Sequence, residues 1–391
     1  MECVEVLRGH ADKRVHCGRP GDPWQRGPPR THPPVCSSSS GLPRGHRIPY
    51  PCTLQHLVVR AVSVLSAFPT TSLGQNGDAC RRSPGVRFPL MQVPADFSAM
   101  ILDREGEAAR EWLESLPQVI GELLDRWRLR RTGSPWCGMC AVVVPVVGED
   151  GRRCVLKVSW VDDETRLEPV ALRAWAGRGA VALLRADEEL GAMLLERLDE
   201  RRVLLDVPVQ EALDIAAELL RALRVPAPPE LTGIGDIAAR WGAEFRKEWR
   251  RLGQPCPERL LSSAVDLCGE LAGLASESWL LHGDYHYGNI LGRGDDTWVV
   301  IDPKPLKGDA AYEVVPLLRN RWSEIRGGGG TRVAVRRRLE RFAEVAELES
   351  SAVIRWCLVR SIGDAMWFRE QGFEDRAEIS WDIARTMFAD L

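Results

Sequence analysis

The stretch from Trp279 to Tyr312, WLLHGDYHYGNILGRGDDTWVVIDPKPLKGDAAY, constrains this chain more than any other. Asp284 is followed five positions later by Asn289, and thirteen further on Asp302 closes the β-forming run Trp298 to Ile301. That spacing sets one carboxylate, one amide and a second carboxylate on a loop, a short strand, a tight turn and another strand. Phosphoryl transfer needs this set. One carboxylate orients or deprotonates an attacking hydroxyl, while an amide and the second carboxylate hold divalent ions against the charge building on the transferred group.

Two other readings compete. His282 and His286 are four apart, as in a zinc pair on a helix. Gly283 and Gly288 oppose a helix, no Glu follows His282, and no third ligand is evident, so both histidines read as structural, with His282 bracing the loop. The second reading is a protein that binds nucleotide without turning it over, against which the complete set of acidic residues and a strand lysine, Lys157, argue.

The Asp-to-Asn spacing and the closing Asp match the protein-kinase catalytic loop, with His-Gly-Asp for His-Arg-Asp and Asp302-Pro303-Lys304 for Asp-Phe-Gly. These departures point elsewhere. The stretch resembles the aminoglycoside phosphotransferase family, whose signature runs His-Gly-Asp-x-His-x-x-Asn, then Ile-Asp, then Gly-Asp-x-x-Tyr. Asp302-Pro303-Lys304-Pro305, with Lys307-Gly308-Asp309 and Tyr312, looks most like the branch that phosphorylates streptomycin and includes hydroxyurea kinases. The resemblance implies a two-lobed, protein kinase-like α+β fold with a small antiparallel-sheet N-lobe and a mainly helical C-lobe. It implies ATP, Mg2+ and γ-phosphoryl transfer to a hydroxyl of a small cationic molecule such as an aminoglycoside. Asp284 would take the hydroxyl proton, and Asn289 and Asp302 would hold magnesium.

In the expected N-lobe, residues 91–199, Trp112, Leu116, Val119, Leu123 and Trp127 recur at helical spacing over Ala109 to Trp127, with Pro117 able to kink the helix. Cys140 to Val147 and Cys154 to Val158, around Asp150-Gly151, read as a hairpin. Lys157 lies between apolar neighbours where a strand lysine reaches nucleotide phosphates, and Glu168 opens a helical stretch, Pro169 to Trp175, as its partner would. Ala180 to Leu184 and Ala192 to Leu195 complete an expected five-stranded sheet. By resemblance, the backbone of Glu196 and Leu198 then forms the hinge that meets adenine. Gly133 to Met139 would cover the phosphates. Cys137-Gly138-Met139-Cys140 imitates a redox motif, but a strand follows where that chemistry needs a helix.

In the expected C-lobe, residues 200–391, apolar stripes run through Ala212, Ile215, Leu219 and Leu223, and through Leu260, Ala264, Leu267, Leu271 and Leu274. Gly233 to Ala238 fits a dinucleotide fingerprint formally, but Ala227-Pro228-Pro229-Glu230 precedes it instead of a strand; Asp236 reads as a helix cap. Gly327 to Gly330 read as a loop, with Thr331 capping the basic helix beyond. By resemblance the acceptor site lies between the catalytic loop and the C-terminal helices, and Asp364, Trp367 and Glu370, spaced by three and three there, are nominated for it.

Composition narrows the partners. Residues 1–90 hold 12 Lys and Arg against 5 Asp and Glu, leaving 40 against 50 for the remainder. An acidic body disfavours nucleic acid and suits a cationic small molecule. Residues 1–90 lack periodicity, so we expect a disordered leader, with Met91 an alternative start. The apolar stretch Leu54 to Phe68 is too short to span a bilayer. Eleven cysteines without framework spacing read as reduced thiols in a cytoplasmic protein.

Overall fold

The computed structural model describes residues 92–274, 279–294, 297–326, 331–389 and 391. The chain divides into two units, Met1–Arg47 and Ile48–Leu391. The first lies wholly outside the described residues, as do the expected 1–90 leader and Met91.

Two helices, α1 (Ala95–Glu105) and α2 (Ala108–Arg126), precede an antiparallel sheet of β1 (Arg130–Arg131), β2 (Trp136–Cys137), β3 (Ala141–Val147), β4 (Arg153–Ser159), β5 (Leu183–Asp187) and β6 (Ala192–Glu196). The order is β1-β3-β4-β6-β5, with β2 also on β3. Five strands were expected; the sheet has six because the first breaks in two. Arg130 faces Val147 and Trp136 faces Val143, so two extra residues loop out around Pro135, which has no N–H for the ladder. The strand expected over Ala180 to Leu184 begins later, because the backbone of Gly179 and Val181 is already bonded to Val300 in the other lobe.

The α2 stripe also differs. Leu113, Leu116, Ile120 and Leu123 are the residues buried against Val142, Val144, Leu156 and Val158, whereas Trp112 stays at the margin between Phe97 and Trp160. Pro117 sits inside a continuous helix. On the other side of the sheet, α3 (Glu168–Trp175) joins the larger core through Ala171, Leu172 and Trp175.

After the two-residue link Arg197-Leu198, β7 (Asp199–Val203) pairs with strands of the second lobe. There follow α4 (Val209–Ala222), α5 (Ile234–Arg251), α6 (Glu258–Gly273), β8 (Trp279–Leu281), β9 (Ile290–Arg293), β10 (Thr297–Val300), β11 (Leu306–Gly308), α7 (Val314–Asn320), α8 (Trp322–Arg326), α9 (Thr331–Ala346), α10 (Ser350–Glu370) and α11 (Glu374–Phe388). The lobe is organised around α10, in which 14 of 21 residues are buried. A helix covered on all sides belongs at the centre of a bundle, and Gly363 lets it approach α5: a Cβ there would meet Trp241 at 3.0 Å.

Smaller expectations change too. Asp236 does not cap α5; Gly233 holds that position without a side-chain bond, and Asp236 sits in the first turn, where its charge suits the helix dipole. Leu274 lies past the end of α6 and is exposed, outside the stripe that ends at Leu271. Gly327 to Gly330 and the side chain of Thr331 lie outside the described set. The whole is the expected α+β architecture: an antiparallel-sheet lobe and a helical lobe carrying the 279–312 stretch between them.

Candidate active site

Asp284 stands on the loop between β8 and β9, and its neighbours fix that loop almost atom by atom. Gly283 has φ +78°, and a Cβ there would fall 2.0 Å from the Lys304 carbonyl oxygen, so no other residue fits. The Gly283 N–H donates to Glu313 Oε1 at 2.8 Å, and its carbonyl accepts from Arg360 Nη2 at 2.9 Å. His282 braces the next step as expected, with Nε2 2.9 Å from the Ile301 carbonyl and Nδ1 accepting from the Asp284 N–H at 3.3 Å. Burial holds His282 down at about 4, so it is neutral and each ring nitrogen has a fixed role.

Asn289 turns its amide nitrogen to Asp284, 3.0 Å from the carbonyl and 3.4 Å from Oδ2. Its amide oxygen is thereby left as the group for a cation. His286 accepts from the Gly288 N–H, and its Nε2 lies 3.7 Å from Asp284 Oδ2; burial first, then Arg319 and Arg376, press it down to about 3. The Nδ1 atoms of both histidines are occupied by backbone N–H groups, and among the described residues no three His, Cys, Asp or Glu side chains are grouped for a metal.

Asp284 is almost wholly buried, which raises its carboxyl to about 6 against the opposing pull of Lys304 and His282. Its Oδ1 has no hydrogen-bond partner among the described residues. An orphaned, buried acceptor with a basicity tuned upward is what abstraction of a hydroxyl proton requires.

Asp302 adopts φ +60°, a conformation tolerated by Asp more than by most residues. It meets the N-lobe there: Lys157 Nζ is 2.6 Å from Asp302 Oδ1, and 2.7 and 2.6 Å from the two oxygens of Glu168. Burial acts to raise Asp302, but Lys157 and Lys304 outweigh it and hold it well below the usual carboxylate range. Lys157, buried among these carboxylates, is pushed well above its ordinary value and stays charged. The Asp302 side chain keeps 42 % of its surface exposed. Two oxygen donors, from Asn289 and Asp302, with the remaining positions left to phosphate and water, suit a magnesium ion, which keeps much of its hydration.

Of the two residues expected at the hinge, Glu196 ends β6 and Leu198 lies in the link. The Glu196 N–H donates to the Ala182 carbonyl at 3.0 Å, and its carboxylate accepts from the Ala182 N–H at 2.7 Å and from Arg293, so the side chain is structural and any adenine contact is left to backbone. Leu198 packs on the larger core. Of the stretch Gly133 to Met139, Trp136 and Cys137 are taken into β2, so β2 and β3 leave only Gly138, Met139 and Cys140 as the turn, with Arg104 Nη1 held to the Met139 carbonyl. Cys137 and Cys140 lie on this hairpin rather than at a helix start, and burial lifts the Cys137 thiol to about 11, the reverse of a redox cysteine.

The three acceptor nominees do not converge. Positions 364, 367 and 370 advance by six residues, which turns the helix well past one face. Asp364 is buried and paired with Arg319 on α7, Trp367 packs edge-on to Phe368, and exposed Glu370 reaches Arg251 on α5. The nomination is corrected for this reason: a carboxylate already paired with an arginine is no vacant site for a substrate cation.

Sequence reasoning missed Arg360, Glu313, Lys304 and Glu164. Lys304 was quoted only as a motif letter, and its ammonium lies 3.7 Å from Glu164 Oε2. Arg360 carried a signal, a charge directly after the apolar run Trp356 to Val359.

Residues 126–372 match the family described as aminoglycoside/hydroxyurea antibiotic resistance kinase. The chain belongs to this family. Streptomycin 6-kinase of Streptomyces glaucescens is similar to it at 37% identity, covering 72% of this chain and 92% of that protein. Streptomycin 6-kinase of Streptomyces griseus is 38% identical over the same shares, and hydroxyurea phosphotransferase of Kitasatospora aureofaciens is 38% identical, covering 72% and 82%. As a member of this kinase family, the protein is an ATP-dependent phosphotransferase.

Proposed function

We propose that this kinase transfers the γ-phosphoryl group of ATP to a hydroxyl of streptomycin or a closely similar aminoglycoside, inactivating it. The observation that carries the reading is the unpartnered Asp284 Oδ1, beside the Asn289 amide and across from Asp302. Asp284 orients the hydroxyl and takes its proton; Asn289 and Asp302 hold magnesium, which when bound neutralises phosphate charge. Lys157, fixed by Glu168, binds the nucleotide phosphates, and the backbone of Glu196 and Leu198 receives adenine. Two relatives named streptomycin 6-kinase support the acceptor, and the acidic body of the chain suits its cationic groups.

A second acceptor class has its own support. That class is a small neutral molecule such as hydroxyurea, and one relative is named for phosphotransfer to it. We place the enzyme in the cytoplasm, where ATP and magnesium are supplied; among the described residues no helix is long and apolar enough to cross a membrane, and Cys140, Cys154, Cys256, Cys268 and Cys357 are free, buried thiols.

Mass spectrometry of streptomycin and hydroxyurea after incubation with the protein and magnesium ATP tests both. One added phosphoryl group on streptomycin, absent with Asp284→Asn, supports the first reading; addition to hydroxyurea alone supports the second. Addition to neither would remove both acceptors.

A further inference from the structure

Lys304 is a cation that the assignments above leave without work. Its main chain is locked: the N–H donates to the His282 carbonyl at 2.7 Å and its carbonyl abuts Gly283. The side chain is therefore rooted against the residue before Asp284 and two residues after Asp302. Only 10% of it is exposed, and lysines are seldom buried unless paired. Yet its pairing is incomplete. Glu164, in the loop between β4 and α3 of the other lobe, approaches to 3.7 Å, beyond hydrogen-bonding reach. Lys157 is the contrast, with three carboxylate oxygens within 2.7 Å. The electrostatic neighbours of Lys304 include Asp302, Glu164 and Asp284, which puts its ammonium in the cleft where the acceptor, the metal and the end of the nucleotide must meet.

We propose that Lys304 is a further catalytic residue, its ammonium contacting the γ-phosphoryl oxygens during transfer, with Glu164 as a positioning residue that holds it from across the cleft. The proposal rests on the phosphotransfer reading above. In the step, the acceptor oxygen forms a bond to Pγ and its proton passes to Asp284. The bond from Pγ to the bridging oxygen breaks, and its electron pair leaves with the β-phosphate of ADP. Lys304 keeps its proton throughout and offers N–H donors to the equatorial oxygens as charge spreads over them. Lys157, fixed by Glu168, is already assigned above to the nucleotide phosphates.

Full-length Lys304→Met, Lys304→Arg and Glu164→Gln variants test this through kcat and through calorimetric affinities for ADP and for a non-hydrolysable ATP analogue that retains the γ-phosphoryl group. Lys304→Met is expected to lose about 10²- to 10³-fold in kcat, as when one transition-state donor is removed. It should weaken the ATP analogue by about tenfold and leave ADP within about twofold. Lys304→Arg should recover at least about tenfold of the lost kcat, and Glu164→Gln should lower kcat by about fivefold with ADP unaffected. Lys304→Met turnover within about threefold of the parent, or equal losses for ADP and the analogue, would overturn the assignment in favour of a bridge that merely ties the lobes. If Lys304→Met does not fold, the other two variants decide, and unchanged kcat in Glu164→Gln removes the positioning role. Should the parent protein phosphorylate neither acceptor, the phosphotransfer reading has failed separately, and selective loss of analogue affinity still reports the γ-phosphoryl contact.

Discussion

Arg360 Nη2, on the central helix, donates to the carbonyl of Gly283, 77 positions earlier in the chain and one residue before Asp284, at 2.9 Å. The same guanidinium donates to the Tyr312 carbonyl at 2.8 Å and lies over the Tyr312 ring, with Glu313 and Asp364 within 4.0 Å. The core of the helical lobe therefore holds the Asp284 loop directly. Arg360→Met should cost about 3–5 kcal/mol, because it strands two buried carbonyls and leaves Glu313 uncompensated. Urea unfolding measures this, and Arg360→Lys should not restore it, since an ammonium lacks the planar fork.

Gly283→Ala should be at least as damaging, at a cost above about 3 kcal/mol, for a steric reason. The methyl group would overlap the Lys304 carbonyl, and φ +78° is itself unfavourable for alanine. The thermal unfolding midpoint and kcat should fall together.

Asp284→Asn keeps the size of the side chain and removes the proton acceptor. Turnover should drop on the order of a hundredfold or more with ADP affinity unchanged. Near-normal turnover would falsify the assignment of Asp284 as base.

Burial sets the pH dependence. Asp284 must be ionised to accept a proton, and its carboxyl is raised to about 6, so kcat/KM for the acceptor should fall as pH drops through about 6 and level off above 7. His282 and His286, held near 4 and 3, are already neutral there. Glu313 is raised to about 7 by burial, so Glu313→Gln, which keeps an acceptor for the Gly283 N–H, is the control. A limb that vanished in Glu313→Gln would reassign it.

Chelation of magnesium should abolish transfer, and Asp302→Asn should raise the magnesium concentration for half-maximal activity by about tenfold or more. Asn tolerates φ +60° nearly as well as Asp, so the substitution isolates charge from backbone strain. Equal magnesium dependence of the two proteins would exclude Asp302 as a ligand.

The chemistry was legible because it lies in one short stretch. Asp284, Asn289 and Asp302 are set by loop and hairpin lengths, which are local, and Lys157 and Glu168 announce themselves as a charge inside a β-run and an acid at a helix start. What the residues by themselves determined was thus the candidate reaction set and most helix positions, since periodicity and turn chemistry act over a few residues, while the two-lobed α+β class followed from the family resemblance. Tertiary structure decided the rest. Asp364 read as a substrate carboxylate until its arginine, 45 positions away, came to meet it. Arg360, Glu313, Lys304 and Glu164 take their meaning from partners brought together across the bundle or the cleft. Which charges neutralise one another in a buried site depends on long-range packing, and spacing along the chain carries no record of it.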